Sequence, residues 1–68
     1  MNYKADRYYV SRFGRYNFII VDSQTNLAVR KKGKEHITNI AYDEDGPVFL
    51  VFNKLEDAKS KCEELNCH

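Results

Sequence analysis

Glycine occurs three times and never in a cluster, so the chain has no glycine-rich loop to cradle a phosphate. The two histidines, His36 and His68, stand outside any metal-ligand or nucleophile spacing, which removes the usual general-base and zinc signatures. Cys62 and Cys67 lie so close together that a bridge would close only a tiny loop, so the chain is no disulfide scaffold and both are read as thiols. Neither Cys67-His68 nor any combination of the two cysteines with the two histidines assembles a four-ligand zinc site. No apolar run approaches the roughly 18 residues of a membrane helix, and Met1 to Asp6 lacks the hydrophobic segment of a secretory signal. The expectation is a cytoplasmic protein that needs no cofactor or metal and touches no membrane.

What is present is an ordinary globular composition, 43% hydrophobic and 31% charged over 68 residues, which argues for a folded chain rather than a disordered one. A chain this short has room for one domain and one core and buries only about 60% of its unfolded surface, so modest stability is expected. Residues 1–68 are read as one domain, with 1–6 and 66–68 frayed. The net charge of +1 conceals an asymmetry. Residues 1–34 carry eight basic side chains against Asp6 and Asp22, whereas residues 35–68 carry three against eight acids. Such a dipolar chain suits a charged partner surface.

Two stretches rich in aromatic and β-branched residues, Tyr8 to Phe13 and Tyr16 to Asp22, flank Gly14-Arg15, a two-residue loop with glycine first that suits a type II′ hairpin. That register pairs Phe13 with Tyr16, Ser11 with Phe18, Tyr9 with Ile20 and Arg7 with Asp22, giving one aromatic face. Arg12 with Asn17, Val10 with Ile19 and Tyr8 with Val21 form a mostly aliphatic second face. Asp22 to Asn26 is a run of turn formers in which Asn26 suits a left-handed conformation, and Leu27 to Lys31 reads as a third strand. Ile37 to Tyr42 reads equally as a short strand or a helical turn. Asp43 to Pro47 is a turn ahead of an apolar strand from Val48 to Phe52. Asp43-Glu44-Asp45-Gly46 has the start of a calcium loop but lacks the downstream bidentate glutamate, which leaves a solvated turn.

From Asn53 the period changes. Leu55, Ala58, Cys62 and Leu65 recur at three- and four-residue steps, the stripe of an amphipathic helix. Asn53 is placed at its N-cap with Glu56 three residues on, Asp57–Lys61 and Lys59–Glu63 as i,i+4 pairs, and its end near Asn66. The fold expected is α+β: a small antiparallel sheet of three to five strands with one C-terminal helix packed on one face. The hairpin offers apolar side chains on both faces and one helix covers only one. The uncovered face is therefore a binding surface, unless the register shifts, the chain pairs with itself as a homodimer, or Ile37 to Tyr42 folds over it as a lid.

The candidate binding set joins basic and aromatic residues: Tyr9, Arg12, Phe13, Arg15, Tyr16 and Phe18 on the hairpin, and Arg30, Lys31, Lys32 and Lys34 after it. Guanidinium and ammonium groups pair with phosphates and exposed rings stack on bases, which opens a nucleic-acid reading. A sequence pI near 7.8 is low for a dedicated nucleic-acid domain and favours a protein partner.

Phe52-Asn53-Lys54-Leu55-Glu56-Asp57-Ala58 after a set of strands resembles the three-stranded-sheet-plus-helix DNA-binding domains of tyrosine-recombinase arms and plant ethylene-response factors. The resemblance covers the hairpin and the helix and implies a groove-binding sheet. Val21-Asp22-Ser23-Gln24-Thr25-Asn26, with a later helix ending in Glu64-Leu65-Asn66, is similar to tiny accessory proteins of bacteriophages and mobile elements. That resemblance implies a stoichiometric inhibitor of a host enzyme or a defence nucleoprotein complex, anti-CRISPR proteins included. The expected function is thus a non-catalytic binding protein of this phage type, with a small DNA- or RNA-binding module built on a basic aromatic β-hairpin as the alternative.

Overall fold

A computed structural model describes residues 7–67. The expected frayed segment 1–6, and His68, lie outside the described residues. The order of elements is β1 (Tyr8–Phe13), β2 (Asn17–Asp22), β3 (Leu27–Ala28), β4 (Tyr42–Asp43), β5 (Gly46–Pro47) and α1 (Leu55–Asn66). The class is α+β: a three-stranded antiparallel meander β1-β2-β3, a small β4-β5 hairpin, and one C-terminal helix. Among the described residues no helix is long and apolar enough to cross a membrane.

The β1–β2 hairpin forms where its aromatic and β-branched residues predict it, but with a loop one residue longer than expected. Gly14, Arg15 and Tyr16 all lie in the turn, and Gly14 takes a positive φ of 77°. The register is therefore Tyr8↔Asp22, Val10↔Ile20, Arg12↔Phe18 and Phe13↔Asn17. Because side chains alternate with a period of two, this one-residue shift redistributes both faces. Tyr8, Val10, Arg12, Phe18, Ile20 and Asp22 share one face, and Tyr9, Ser11, Phe13, Ile19 and Val21 the other. The expected aromatic face does not exist: Tyr9 and Phe13 part from Phe18, and Tyr16 leaves the strand for the tip.

At the next turn Asn26 adopts the left-handed conformation read from the sequence, with φ 61°. The N–H of Gln24 donates to Asp22 Oδ1 (2.9 Å) and that of Asn26 to the Asp22 carbonyl (2.7 Å), so Asp22 organises the whole turn. The third strand is shorter than Leu27 to Lys31, yet its continuation still pairs: Lys31 N–H donates to Val48 O and Leu50 N–H to Val29 O, around an Arg30↔Phe49 bridge. Phe52 exchanges both backbone bonds with Phe18. The expected strand Val48 to Phe52 is thus split between two partners and is not one continuous element.

Phe52 lies antiparallel to Phe18, so Lys54 arrives near the tip of the first hairpin. The helix then runs back along the β1–β2 pair to Tyr8. A 12-residue helix is about 18 Å long and a six-residue strand about 20 Å, so the two match in length. The N-cap is Lys54, not Asn53, and no side chain caps it; Asn53 is an exposed bend directly after the Phe18–Phe52 bridge. Lys61 pairs with Glu64 one turn on (2.9 Å), in place of the expected Asp57 pair. Ala58 and Cys62 on the predicted stripe are buried with Ile20, Val48 and Phe49 to make the core, while Leu55 at the helix start stays 42% exposed. The helix does end at Asn66, but that residue is bonded to the sheet rather than frayed.

Candidate functional site: a hairpin tip and two apolar clefts

Three kinds of surface emerge once the basic residues are sorted by what they touch. Arg7 lays its guanidinium across the Asp22 carboxylate, with Nε to Oδ1 at 3.0 Å and Nη2 to Oδ2 at 2.8 Å. This bond holds Asp22 below the usual carboxylate range, helped by the Gln24 N–H and opposed by desolvation, and raises Arg7 in turn. Lys34 Nζ sits between Asp43 (2.6 Å) and Asp45 (3.2 Å). Its hydrogen bond lowers Asp43, and the two carboxylates raise Lys34. The acidic turn that resembled a calcium loop therefore closes on a lysine of the same chain. Among the described residues no group of three or more metal-ligating side chains comes together.

Arg30 has a structural task that its place in a basic run does not suggest. Its Nε donates to Ile37 O (2.7 Å), Nη1 to Ala28 O (3.1 Å) and Nη2 to Ile40 O (3.4 Å). The planar fork thus ties the 37–40 segment to the third strand through three carbonyls. With Tyr42 edge-on to Phe49 at 5.8 Å and Phe49 edge-on to Phe13 at 5.3 Å, this segment folds over part of the face opposite the helix. The lid read as one outcome for Ile37 to Tyr42 is partly realised, as irregular backbone with bends at Asn39 and Ala41 that leads into β4, and not as a helical turn. It leaves a cleft of about 420 Å³ lined by Phe13, Ile19, Ile40, Tyr42 and Phe49. On the helix side a wider groove of about 700 Å³ has a floor of Tyr8, Leu27, Val29, Leu50 and Leu65, with Lys32 and Lys61 among its polar residues.

Of the ten predicted binding residues, the structure gathers Arg12, Arg15 and Tyr16 at one place, the hairpin tip. Tyr16 is 75% exposed, and Arg12 Nη2 donates to the Arg15 carbonyl at 3.0 Å, which folds the two arginines against one turn. Among the described residues no carboxylate pairs with either. Tyr9 lies down the strand, 48% exposed on the face away from the helix. Phe13 and Phe18 are half-buried on opposite faces. Lys32 is exposed, Lys31 is half-buried, and Arg30 and Lys34 are engaged within the fold. The clefts were not legible in the sequence, because their linings are assembled from segments far apart in the chain, such as Leu27, Leu50 and Leu65 in one and Phe13, Ile40 and Phe49 in the other.

Comparison with protein-family models, with curated proteins and with solved structures finds no match to this chain.

Proposed function

We propose that this chain is a non-catalytic binding protein whose hairpin tip docks on a partner protein or nucleoprotein complex, in the manner of small phage-encoded inhibitors or modulators of host enzymes. The observation that carries this reading is the sorting of the arginines. Arg7 and Arg30 are consumed by Asp22 and by three carbonyls, whereas Arg12 and Arg15 stand at a tip crowned by the exposed Tyr16. Arginine and tyrosine are the residues that most often anchor protein interfaces. A cationic tip also suits a host surface shaped to hold nucleic acid or an acidic partner.

The test is affinity capture from bacterial lysate with the wild-type chain and with R15E/Y16A in parallel. A nucleic-acid-handling protein retained by the wild type and lost by the variant supports the reading. Capture of no protein that the variant loses overturns it. The second reading, direct binding of DNA or RNA, is favoured by the same two arginines, which have no carboxylate partner among the described residues, since a cationic β-ribbon is a known way into a groove. It requires steep salt dependence in fluorescence anisotropy with labelled oligonucleotides.

A further inference from the structure

Among the described residues the outer edge of β1 is open over part of its length. Arg7 accepts from Ser23 N–H (2.8 Å), so the odd-numbered residues of β1 turn their backbone groups toward β2 and the even-numbered ones turn them outward. Tyr8, the first outward residue, is occupied: its N–H donates to Asn66 Oδ1 at 2.9 Å and its carbonyl accepts from Asn66 Nδ2 at 3.0 Å. A carboxamide has the donor and acceptor of a peptide group, so Asn66 stands where one residue of a neighbouring strand would pair. The next outward residues, Val10 and Arg12, have no partner for N–H or C=O among the described residues. The remaining strands are better covered. β2 is paired on both sides, the β3 continuation pairs with Val48 to Leu50, and Val48 N–H donates to Ala41 O. A bare edge of this kind is a template for an added strand.

The charge along this edge selects its occupant. From Arg7 to Arg15 the chain carries three arginines and no acid, and Arg12 and Arg15 lack a carboxylate partner among the described residues. Pairing β1 with a second copy of itself would bring like charges together and meet Asn66 at both ends. We infer that the outer edge of β1, at Val10 and Arg12, docks an extended acidic polypeptide segment of the partner as a fourth strand of the sheet. This inference rests on the binding role proposed above and names the chemistry of the partner. An alternating segment puts acidic side chains on the Arg12 face and apolar ones on the Tyr9 face, where that ring is exposed.

The probe is a capped octapeptide of alternating Val and Glu, titrated into the isotopically labelled full chain and followed by amide shifts and amide exchange. Expected are saturating shifts and slowed exchange at Val10 and Arg12, lost when two adjacent central residues of the peptide are N-methylated. R12E should weaken binding about tenfold or more. Val10→Pro removes an outward donor that the β1–β2 ladder does not use, and should abolish binding while amide dispersion shows the sheet intact. If that variant does not fold, the N-methylated peptide still decides the matter against the wild-type protein. Equal binding of the N-methylated peptide, shifts confined to either cleft, or no shift at millimolar peptide overturns the inference. So does an alternating Val and Lys peptide that binds as well, or single-stranded DNA that displaces the acidic peptide without altering exchange at Val10. Failure here with lysate capture still lost in R15E/Y16A removes only the edge; failure of both removes the binding role itself.

Discussion

Asn66 grips Tyr8 by both of its backbone groups, across 58 residues of sequence. The last residue of the helix thereby closes the first residue of the sheet, and Cys62 Sγ lies 3.4 Å from the same Tyr8 carbonyl. Replacing Asn66 with Ala leaves a part-buried N–H and C=O without these partners, so a loss of about 1–3 kcal/mol is expected in urea denaturation. Asn66→Asp keeps the acceptor for the Tyr8 N–H but sets a carboxylate oxygen against the Tyr8 carbonyl and a negative charge at the helix C-terminus, and should cost at least as much as the alanine.

Arg30→Ala should cost about 2 kcal/mol, since hydrogen bonds from a charged donor are lost and three carbonyls are released. Hydrogen exchange should rise in residues 34–41 ahead of the rest of the chain. Arg30→Lys should not restore protection, because an ammonium lacks the fork that spans three carbonyls. If the charge of Arg30 were its function instead, the lysine variant would behave as wild type.

Ile20 is fully buried, and Ile20→Ala should destabilise by about 2–5 kcal/mol, enough to unfold much of a domain this small at 37 °C. Tyr16→Ala should by contrast change stability by no more than about 0.5 kcal/mol, so any loss of partner binding in that variant is a lost contact and not a lost fold. Circular dichroism melts of the two variants side by side check both expectations.

Asp22 and Asp43 are each held below the ordinary carboxylate value, the first chiefly by the Arg7 hydrogen bonds and the second chiefly by Lys34. For a depressed acid the stabilisation is complete above the unfolded value, about 3.9, and is lost as pH falls through the lower folded values. Stability measured by urea titration should therefore fall as pH drops below about 4. D22N and D43N should each flatten that decline while lowering stability at neutral pH.

The sequence exposes the elements whose periodicity is long and unmixed. Leu55, Ala58, Cys62 and Leu65 announce the helix, and Asn26 announces its own left-handed turn. It is silent where a single residue decides between two geometries. Gly14-Arg15 fits a two-residue turn by local chemistry, but the longer loop lets Ile20 reach the helix side and be buried there, and tertiary burial outweighs turn preference. The roles of Arg30 and Lys34 were hidden for a related reason: a basic run looks solvated until its distant acceptors, the carbonyls of Ile37 and Ile40 and the carboxylates of Asp43 and Asp45, are brought to it. Arg12, Arg15 and Tyr16 were legible as a cluster because they are neighbours in sequence and need no long-range contact to meet.

The three-residue loop at Gly14 also makes the inside and the outside of this molecule a question of parity. Adding or removing one residue between Phe13 and Asn17 would exchange the two faces of one strand relative to the other, sending Ile20 toward solvent or Val10 away from the helix. Adding or removing two would leave both faces in place and only move the tip. Length variation at this turn is therefore tolerable in even steps, and the turn that presents the arginines is free to lengthen toward a partner only in those increments.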